Sequence, residues 1–447
     1  MALSNTCFSN QEINNLLKKA TRIFFIGIGG ISMSTLATYM HFKGYKIYGY
    51  DRERSATCQK LESIAEIKYY STPDRVRDMD LVVYSLAIDE ENFEYKMAKK
   101  LKIPTLSRAN LLGYIVSSYK TSIGITGTHG KSTTTAVLGK IFDYAGLSPT
   151  VFCGACMKDF GGALHVGQGD FCIFESCEYK NSFLCMVPSE LAILNIEYDH
   201  PDFFSSFDEL ASSFIALSNI SGKVYLNADD NVCQNIKASN TVSYGIENEA
   251  SYRALLESDG FSVLFNGEKI ATCKTKFRGK HFVYDFLCAF AISHENGVPV
   301  SVISSAIEEF QGVKRRLEKI SKSDTPLPIF EDYAHHPTEI KATLSSLLEM
   351  GYKRIFCVFQ PHTYSRSFYL YDEFTKAFKA ASELYFLPTF SAREKNVFSI
   401  DEKEFAKDSG GILISDFKEL KEKILKTECD VCVILGAGDI TDFKKYL

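Results

Sequence analysis

The sequence has no excess of positive charge, no long apolar run and no internal repeat. Fifty Lys and Arg against 55 Asp and Glu leave the 447-residue chain at a formal −5. There is no basic surplus to displace counterions, so nucleic acid is not expected as a partner. No apolar stretch nears the roughly 20 residues that span a bilayer. The opening MALSNTCFSNQEINNLLKKA also has no apolar signal-peptide core. The expectation is a cytoplasmic protein with no membrane partner.

An ordered cysteine framework is lacking too. The thirteen cysteines are odd in number and mostly scattered. Two CxxC spacings occur, Cys153/Cys156 in FCGAC and Cys429/Cys432 in CDVC. A zinc site would need four ligands brought together tetrahedrally. CDVCVIL instead reads as a buried strand, with its two cysteines on opposite faces, and FCGAC lacks a thioredoxin-like context. Both pairs read as reduced small hydrophobes.

The composition is that of an ordinary globular chain, 45% hydrophobic and 23% charged, and its length suggests about three domains. From Arg22 to about Ser107, strands RIFFIGIGG, KIYGYD, DLVVYSLAI and KIPTLS alternate with helical or polar stretches, the rhythm of a doubly wound parallel sheet. A second unit opens at TSIGITG, runs through a helix over 131–145 and continues with buried strands FCIFES, LAILNI and KVYLNAD. Between about 241 and 277, short runs with an NGE hairpin signal predict an antiparallel patch. Helices over about 280–295 and 300–310 follow. A third α/β unit begins near GVKRRLEKI and includes PIFEDYAHH, RIFCVFQPH, ELYFLPTF, GILIS and DVCVILGAG.

Two glycine-rich turns each follow a strand and precede a helix. GIGGIS (27–32) resembles a dinucleotide turn with Ser32 in place of the last glycine, and Asp51 closes the next strand. Backbone N–H groups at such a helix start suit a diphosphate and the acidic residue suits a ribose hydroxyl; a tight turn without a ligand is the alternative. GTHGKST (127–133) departs from strict phosphate-loop spacing, because Ile125 stands where the first glycine belongs. Its mechanics survive: Gly127 and Gly130 let the backbone close on phosphates, Lys131 offers a point charge, and Ser132 can ligate Mg²⁺. It reads as an ATP site.

Further along, FESCEY puts Glu175 and Glu178 at one strand end, and NIEYDHPD puts Asp199 and His200 at another. Strand ends of open α/β sheets hold ligands, so these residues are candidates for metal or substrate contacts; solvated turns are the plainer alternative. EDYAHHPTE (331–339) and QPHTYSR (360–366) also follow strands, and Arg366 suits a carboxylate. Helix-start capping by Asp332 and Thr338 is the competing explanation. Arg315 and Arg316 stand at the junction of units two and three, suited to sensing a γ-phosphate or merely solvated.

GIGG, GTHGKST, ESCEYKNSFL, NIEYDHPD, GVKRRLE, EDYAHHPTE, FQPHTYSR and GAGDI occur in this order over nearly the whole chain. Together they resemble the Mur ligase family, most nearly its alanine-adding branch. The resemblance implies an α/β architecture of three domains. These are a Rossmann-like UDP-sugar domain (1–107), a central P-loop ATPase domain with a small antiparallel patch (108–313) and a Rossmann-like C-terminal domain that helps bind the amino acid (314–447). It implies a cytoplasmic enzyme, monomer or homodimer, that joins L-alanine to the lactyl carboxylate of UDP-N-acetylmuramate through an acyl phosphate. ATP and Mg²⁺ would be consumed and required, respectively. Phosphoryl transfer of this kind needs in-line positioning and neutralised phosphate charge.

By the same resemblance, Lys131, Glu175, His200, Arg316, Asp332 and His335 are catalytic, and Ser132, Glu175 and His200 hold metal. Gly127, Thr128, His129, Gly130, Lys131, Ser132, Thr133, His281, Asp285, Arg315, Arg316 and Asp332 bind ATP. Gly27, Gly29, Gly30, Ile31, Ser32, Asp51 and Ser85 bind the UDP-sugar, and Tyr333, His335 and Arg366 address the amino acid. Three departures stand out: His281, Phe282 and Asp285 replace an HNxxN pattern, Thr363 replaces an arginine, and ESCEY replaces a more acidic string. The rivals are a ligase adding a tripeptide to the same sugar, a sugar-binding homologue impaired in catalysis, and a nicotinamide dehydrogenase built on GIGGIS and Asp51.

Overall fold

A computed structural model describes residues 8–321, 327–392 and 394–445. The chain is α/β throughout and forms three sheets. The first contains β1 (Arg22–Ile26), β2 (Lys46–Tyr50), β3 (Ala65–Lys68), β4 (Leu81–Tyr84) and β5 (Thr105–Ser107) in the order β3-β2-β1-β4-β5. All its pairings are parallel. Strand order reverses beside β1, so a crevice opens at the carboxyl ends of β1 and β4, where GIGGIS begins. The apolar run of β1 is buried because helices cover both faces.

The second sheet has ten strands: β6 (Thr121–Thr126), β7 (Thr150–Met157), β8 (Gly162–His165), β9 (Phe171–Glu175), β10 (Glu190–Ile193), β11 (Lys223–Asn227), β12 (Thr241–Gly245), β13 (Tyr252–Glu257), β14 (Gly260–Phe265) and β15 (Glu268–Lys274). Their order is β15-β14-β13-β12-β11-β10-β6-β9-β7-β8. The antiparallel patch is smaller than the sequence suggested. β12 pairs in parallel with β11 and briefly with β13, leaving β13–β15 as the antiparallel part of this patch, while β7 and β8 pair antiparallel at the other end of the sheet. The reason is burial: Val242 and Tyr244 enter the central core, where helix Lys280–Glu295 also packs, so β12 extends the parallel layer. The NGE hairpin forms as read, with Asn266 and Gly267 at φ 49° and 88° between β14 and β15. FCGAC lies inside β7, a strand the sequence reading did not mark.

The third sheet comprises β16 (Glu318–Lys319), β17 (Ile329–Asp332), β18 (Ile355–Phe359), β19 (Glu383–Phe386), β20 (Ile412–Leu413) and β21 (Val431–Leu435), ordered β16-β17-β21-β18-β19-β20. The last strand enters between β17 and β18, and every pairing but β16–β17 is parallel. EDYAHHPTE and QPHTYSR therefore leave the same edge of the sheet. The first two units share one apolar core, in which Phe25, Met33 and Leu36 cluster with Phe152, Phe174 and Met186.

Candidate active site

The phosphate loop leaves β6 and enters helix Lys131–Tyr144. Gly127 and Gly130 take φ 139° and 84°, conformations that L side chains rarely adopt. A Cβ on Gly130 would sit 2.3 Å from Asp285 Oδ1, so the loop needs glycine here for space as well. The Lys131 ammonium folds back over the loop, donating to the carbonyls of Gly127 and Thr128 and to Glu178 Oε1 at 3.2 Å. Burial alone would lower its pKa, but Glu178, Cys177 and Glu175 outweigh that and raise it. Lys131 remains a cation.

Glu178 is buried and joins two of the predicted residues. Lys131 Nζ lies 3.2 Å from its Oε2 and His200 Nε2 lies 3.4 Å from its Oε1. Burial pushes this carboxyl up, yet Lys131 and His200 pull it below the usual range. Glu175, three residues earlier, turns elsewhere: its Oε1 accepts from the Gly154 N–H and the Cys153 thiol. Of the two FESCEY glutamates that the sequence placed at this strand end, Glu178 is the one set between Lys131 and His200. His200 takes a left-handed φ of 57°, and its N–H donates to Asp199 Oδ1 at 2.7 Å.

The C-terminal unit meets this cluster directly. Arg366, on helix Tyr364–Tyr369, donates from Nε and Nη2 to Asp199 Oδ1 at 3.0 and 2.8 Å. His129 of the phosphate loop lies between Glu197, 3.3 Å from Nε2, and Glu339 of helix Pro337–Glu349, 3.1 Å from Nδ1. Burial alone would lower its pKa, but Glu339 and Glu197 lift it to about 9. Thr338 Oγ1 also donates to Glu197 at 2.7 Å. His336, not Asp332 or Thr338, caps that helix, with Glu339 closing the capping box.

Asp332 accepts from the Leu317 and Ala334 N–H groups at 2.6 and 2.8 Å, and burial raises its pKa to about 6. Arg316 sits over the Tyr333 ring and 3.8 Å from Glu339. Arg315 also lies over the Tyr333 ring, at 4.8 Å, but its hydrogen bond goes to the Gly436 carbonyl at 2.6 Å and its ion pair to Glu331 at 3.3 Å. His335 Nδ1 lies 3.0 Å from the Tyr333 carbonyl and 3.2 Å from Glu339.

A cavity of about 300 Å³ runs between the central and C-terminal units. His129, Gly130 and Thr133 line its loop end, His281, Phe282 and Asp285 its wall, and Arg316, Asp332 and Glu339 its far side. A second cavity of about 840 Å³ occupies the crevice of the first sheet, with Gly27, Gly29, Gly30, Asp51 and Ser85 in its lining. Ile31 and Ser32 are not among its lining residues. Asp51 Oδ2 accepts from the Gly29 N–H at 2.8 Å, so this carboxylate braces the glycine turn.

With a cavity at each glycine-rich turn and a lysine–carboxylate–histidine cluster beside the second, the chain is similar to known proteins over most of its length. Residues 22–120 match the Mur ligase family catalytic domain, 125–293 the Mur ligase middle domain and 315–438 the Mur ligase glutamate ligase domain. The chain belongs to the Mur ligase family. Among curated relatives, the UDP-N-acetylmuramate–L-alanine ligase of Caldanaerobacter subterraneus subsp. tengcongensis is 37% identical, covering 96% of this chain and 98% of its own. That of Aquifex aeolicus is 35% identical, covering 95% and 97%. The crystal structure of the UDP-N-acetylmuramate–alanine ligase of Thermotoga maritima superposes with a TM-score of 0.81 at 26% identity, covering 95% of this chain and 97% of that one.

In this Mur ligase the fold gathers Lys131, His200, Arg316, Asp332, Tyr333 and His335 around the junction of the central and C-terminal units. Two acidic residues at the same junction, Glu197 and Glu339, were not among the sequence candidates, and two more, Glu178 and Asp199, were candidates for metal or substrate contacts with no fixed role. Each follows a strand or opens a helix, positions that also suit plain turns and caps. The signal that separates them is charge matching across units, which only the folded chain displays.

Proposed function

We propose that this chain ligates L-alanine to the lactyl carboxylate of UDP-N-acetylmuramate, using ATP, in peptidoglycan precursor synthesis. The observation that carries this is Glu178 held between Lys131 and His200 at the end of the phosphate loop, in a chain 37% identical over nearly its full length to an L-alanine ligase. The UDP-sugar lies in the crevice of the first sheet, with its diphosphate over Gly27, Gly29 and Gly30. ATP lies in the cavity between Gly130 and Asp332. The units divide near residues 107 and 313, and the enzyme works in the cytoplasm as a monomer or homodimer. No described helix is long and apolar enough to cross a membrane.

Lys131 neutralises charge on the outer phosphates while the sugar carboxylate attacks the γ-phosphoryl group, giving an acyl phosphate and ADP. Arg316, lining the nucleotide cavity from the C-terminal unit, adds positive charge on closure. The alanine amine, held near Tyr333 and His335, then attacks the acyl carbon, and phosphate leaves. Holding the three reactants at one junction makes each step intramolecular in effect.

The donor set also fits Mg²⁺. Glu178 Oε2 is buried and has no hydrogen-bond partner, meeting Lys131 only as an ion pair. Ser132, Glu178 and His200 would hold the ion, with Glu175 near enough to act on Lys131 electrostatically. Bound there, it supplies further charge neutralisation on the phosphate oxygens. Mass spectrometry of the product tests the assignment: one alanine added to the UDP-sugar supports it, and a tripeptide adduct formed in preference to it refutes it.

A further inference from the structure

Asp199 makes a doubly hydrogen-bonded, buried contact from the central to the C-terminal unit. Its Oδ1 accepts three N–H groups: Nε and Nη2 of Arg366 and the backbone N–H of His200, at 3.0, 2.8 and 2.7 Å. Asp199 and Arg366 are 6% and 5% exposed, so water does little to screen the pair. The other edge of the guanidinium is also engaged. Arg366 Nη1 donates to the His362 carbonyl at 2.6 Å and lies 3.2 Å from His362 Nδ1. A guanidinium held on both edges is a strut rather than an open carboxylate receptor.

The same aspartate fixes its neighbour. His200 sits in the left-handed region, a costly conformation for a non-glycine residue, and Asp199 takes its N–H there. His200 Nε2 lies 3.8 Å from Asp199 Oδ2 as well as beside Glu178, and the Tyr179 ring packs against the imidazole at 4.7 Å. Lys131, Glu178, His200, Asp199 and Arg366 thus form one continuous chain of charges from the phosphate loop to the C-terminal unit.

We propose that Asp199 is a positioning residue that couples seating of the C-terminal unit, through Arg366, to the orientation of His200. Arg366 then serves the amino acid indirectly, by seating the unit that carries Tyr333 and His335. This rests on the ligase reading above. It separates the substrates: the alanine seat spans the junction that Asp199 closes, whereas among the described residues the UDP-sugar cavity draws only Ala392 from the C-terminal unit.

The test uses Asp199→Asn, which keeps size and an acceptor oxygen but removes the charge, together with Arg366→Met and the double variant. Asp199→Asn is expected to raise the alanine KM roughly tenfold or more, since breaking a buried pair strands a charge, with the UDP-sugar KM within about twofold of wild type. The double variant should be no worse than Arg366→Met alone, because the two act as a unit. Small-angle X-ray scattering should show Asp199→Asn more expanded than wild type, a readout independent of turnover. An unchanged alanine KM, additive losses, or equal losses for both substrates would overturn the proposal. Wild-type turnover tests the ligase reading, and only the variant-to-wild-type ratios test this one.

Discussion

Lys131 and Glu178 pair at 3.2 Å inside the protein, and the same carboxylate reaches His200 at 3.4 Å. The cation of the phosphate loop is thereby tied to a strand end 47 residues away, beside the second cluster of polar residues. Glu175 lies on the other side of that strand end, bonded to Gly154. Glu178→Gln is therefore expected to lower kcat by about 10²–10³-fold, the scale of losing one electrostatic group at a reacting phosphate. Glu175→Gln should cost less, and steady-state kinetics of the two variants checks the order.

The two cradles should fail separately. A Cβ on Gly29 would lie 2.5 Å from Cys58 Sγ and 2.9 Å from Asp51 Oδ2, so Gly29→Ala must push apart the turn that Asp51 braces. Its UDP-sugar KM is expected to rise about tenfold or more, with the ATP KM nearly unchanged. Lys131→Ala should abolish turnover while calorimetry still detects UDP-sugar binding. Joint loss of both ligands in either variant would contradict the assignment of two sites.

The adjacent arginines divide between structure and nucleotide. Arg315 anchors the C-terminal sheet through Gly436 and the buried Glu331, so Arg315→Ala should cost about 1–3 kcal/mol in denaturant unfolding with little change in ATP KM. Arg316 lines the cavity proposed for ATP, so Arg316→Ala should show the opposite pattern, a raised ATP KM with a smaller loss of stability.

Asp285 makes stability depend on pH in a defined direction. Burial lifts its pKa to about 8, against the opposing pull of Thr134, Arg316 and His129. The folded state therefore keeps a proton that the unfolded chain loses near pH 4, and Asp285's contribution to stability falls as pH rises from about 4 to about 8. Asn does not titrate, so the stability of Asp285→Asn relative to wild type should improve across that window. Parallel curves in denaturant titrations at several pH values would show that Asp285 is ionised throughout.

Much of this site was legible in the residue order. GTHGKST and GIGGIS each announce a strand, a turn and a helix, because glycine and backbone N–H geometry are local properties. That His200, Asp332 and Arg366 lie at a strand end or on the segment that follows one was also legible, because the strands before them are marked by local apolar runs. Which of Glu175 and Glu178 meets Lys131 was not, since the partner of Glu178 lies 47 residues earlier and that of Glu175 on a strand the sequence did not mark. The pairing of Arg366 with Asp199 was not legible, because the partner lies 167 residues earlier. The boundary of the antiparallel patch was missed because TVSYG carries no local mark of its parallel neighbour.

The central claim is that this chain joins three substrates at one junction, and phosphate release measures it most directly. With Mg²⁺ present, ATP should yield phosphate only when UDP-N-acetylmuramate and L-alanine are both supplied. Phosphate release that ignores alanine, or that requires a tripeptide in its place, would contradict the account.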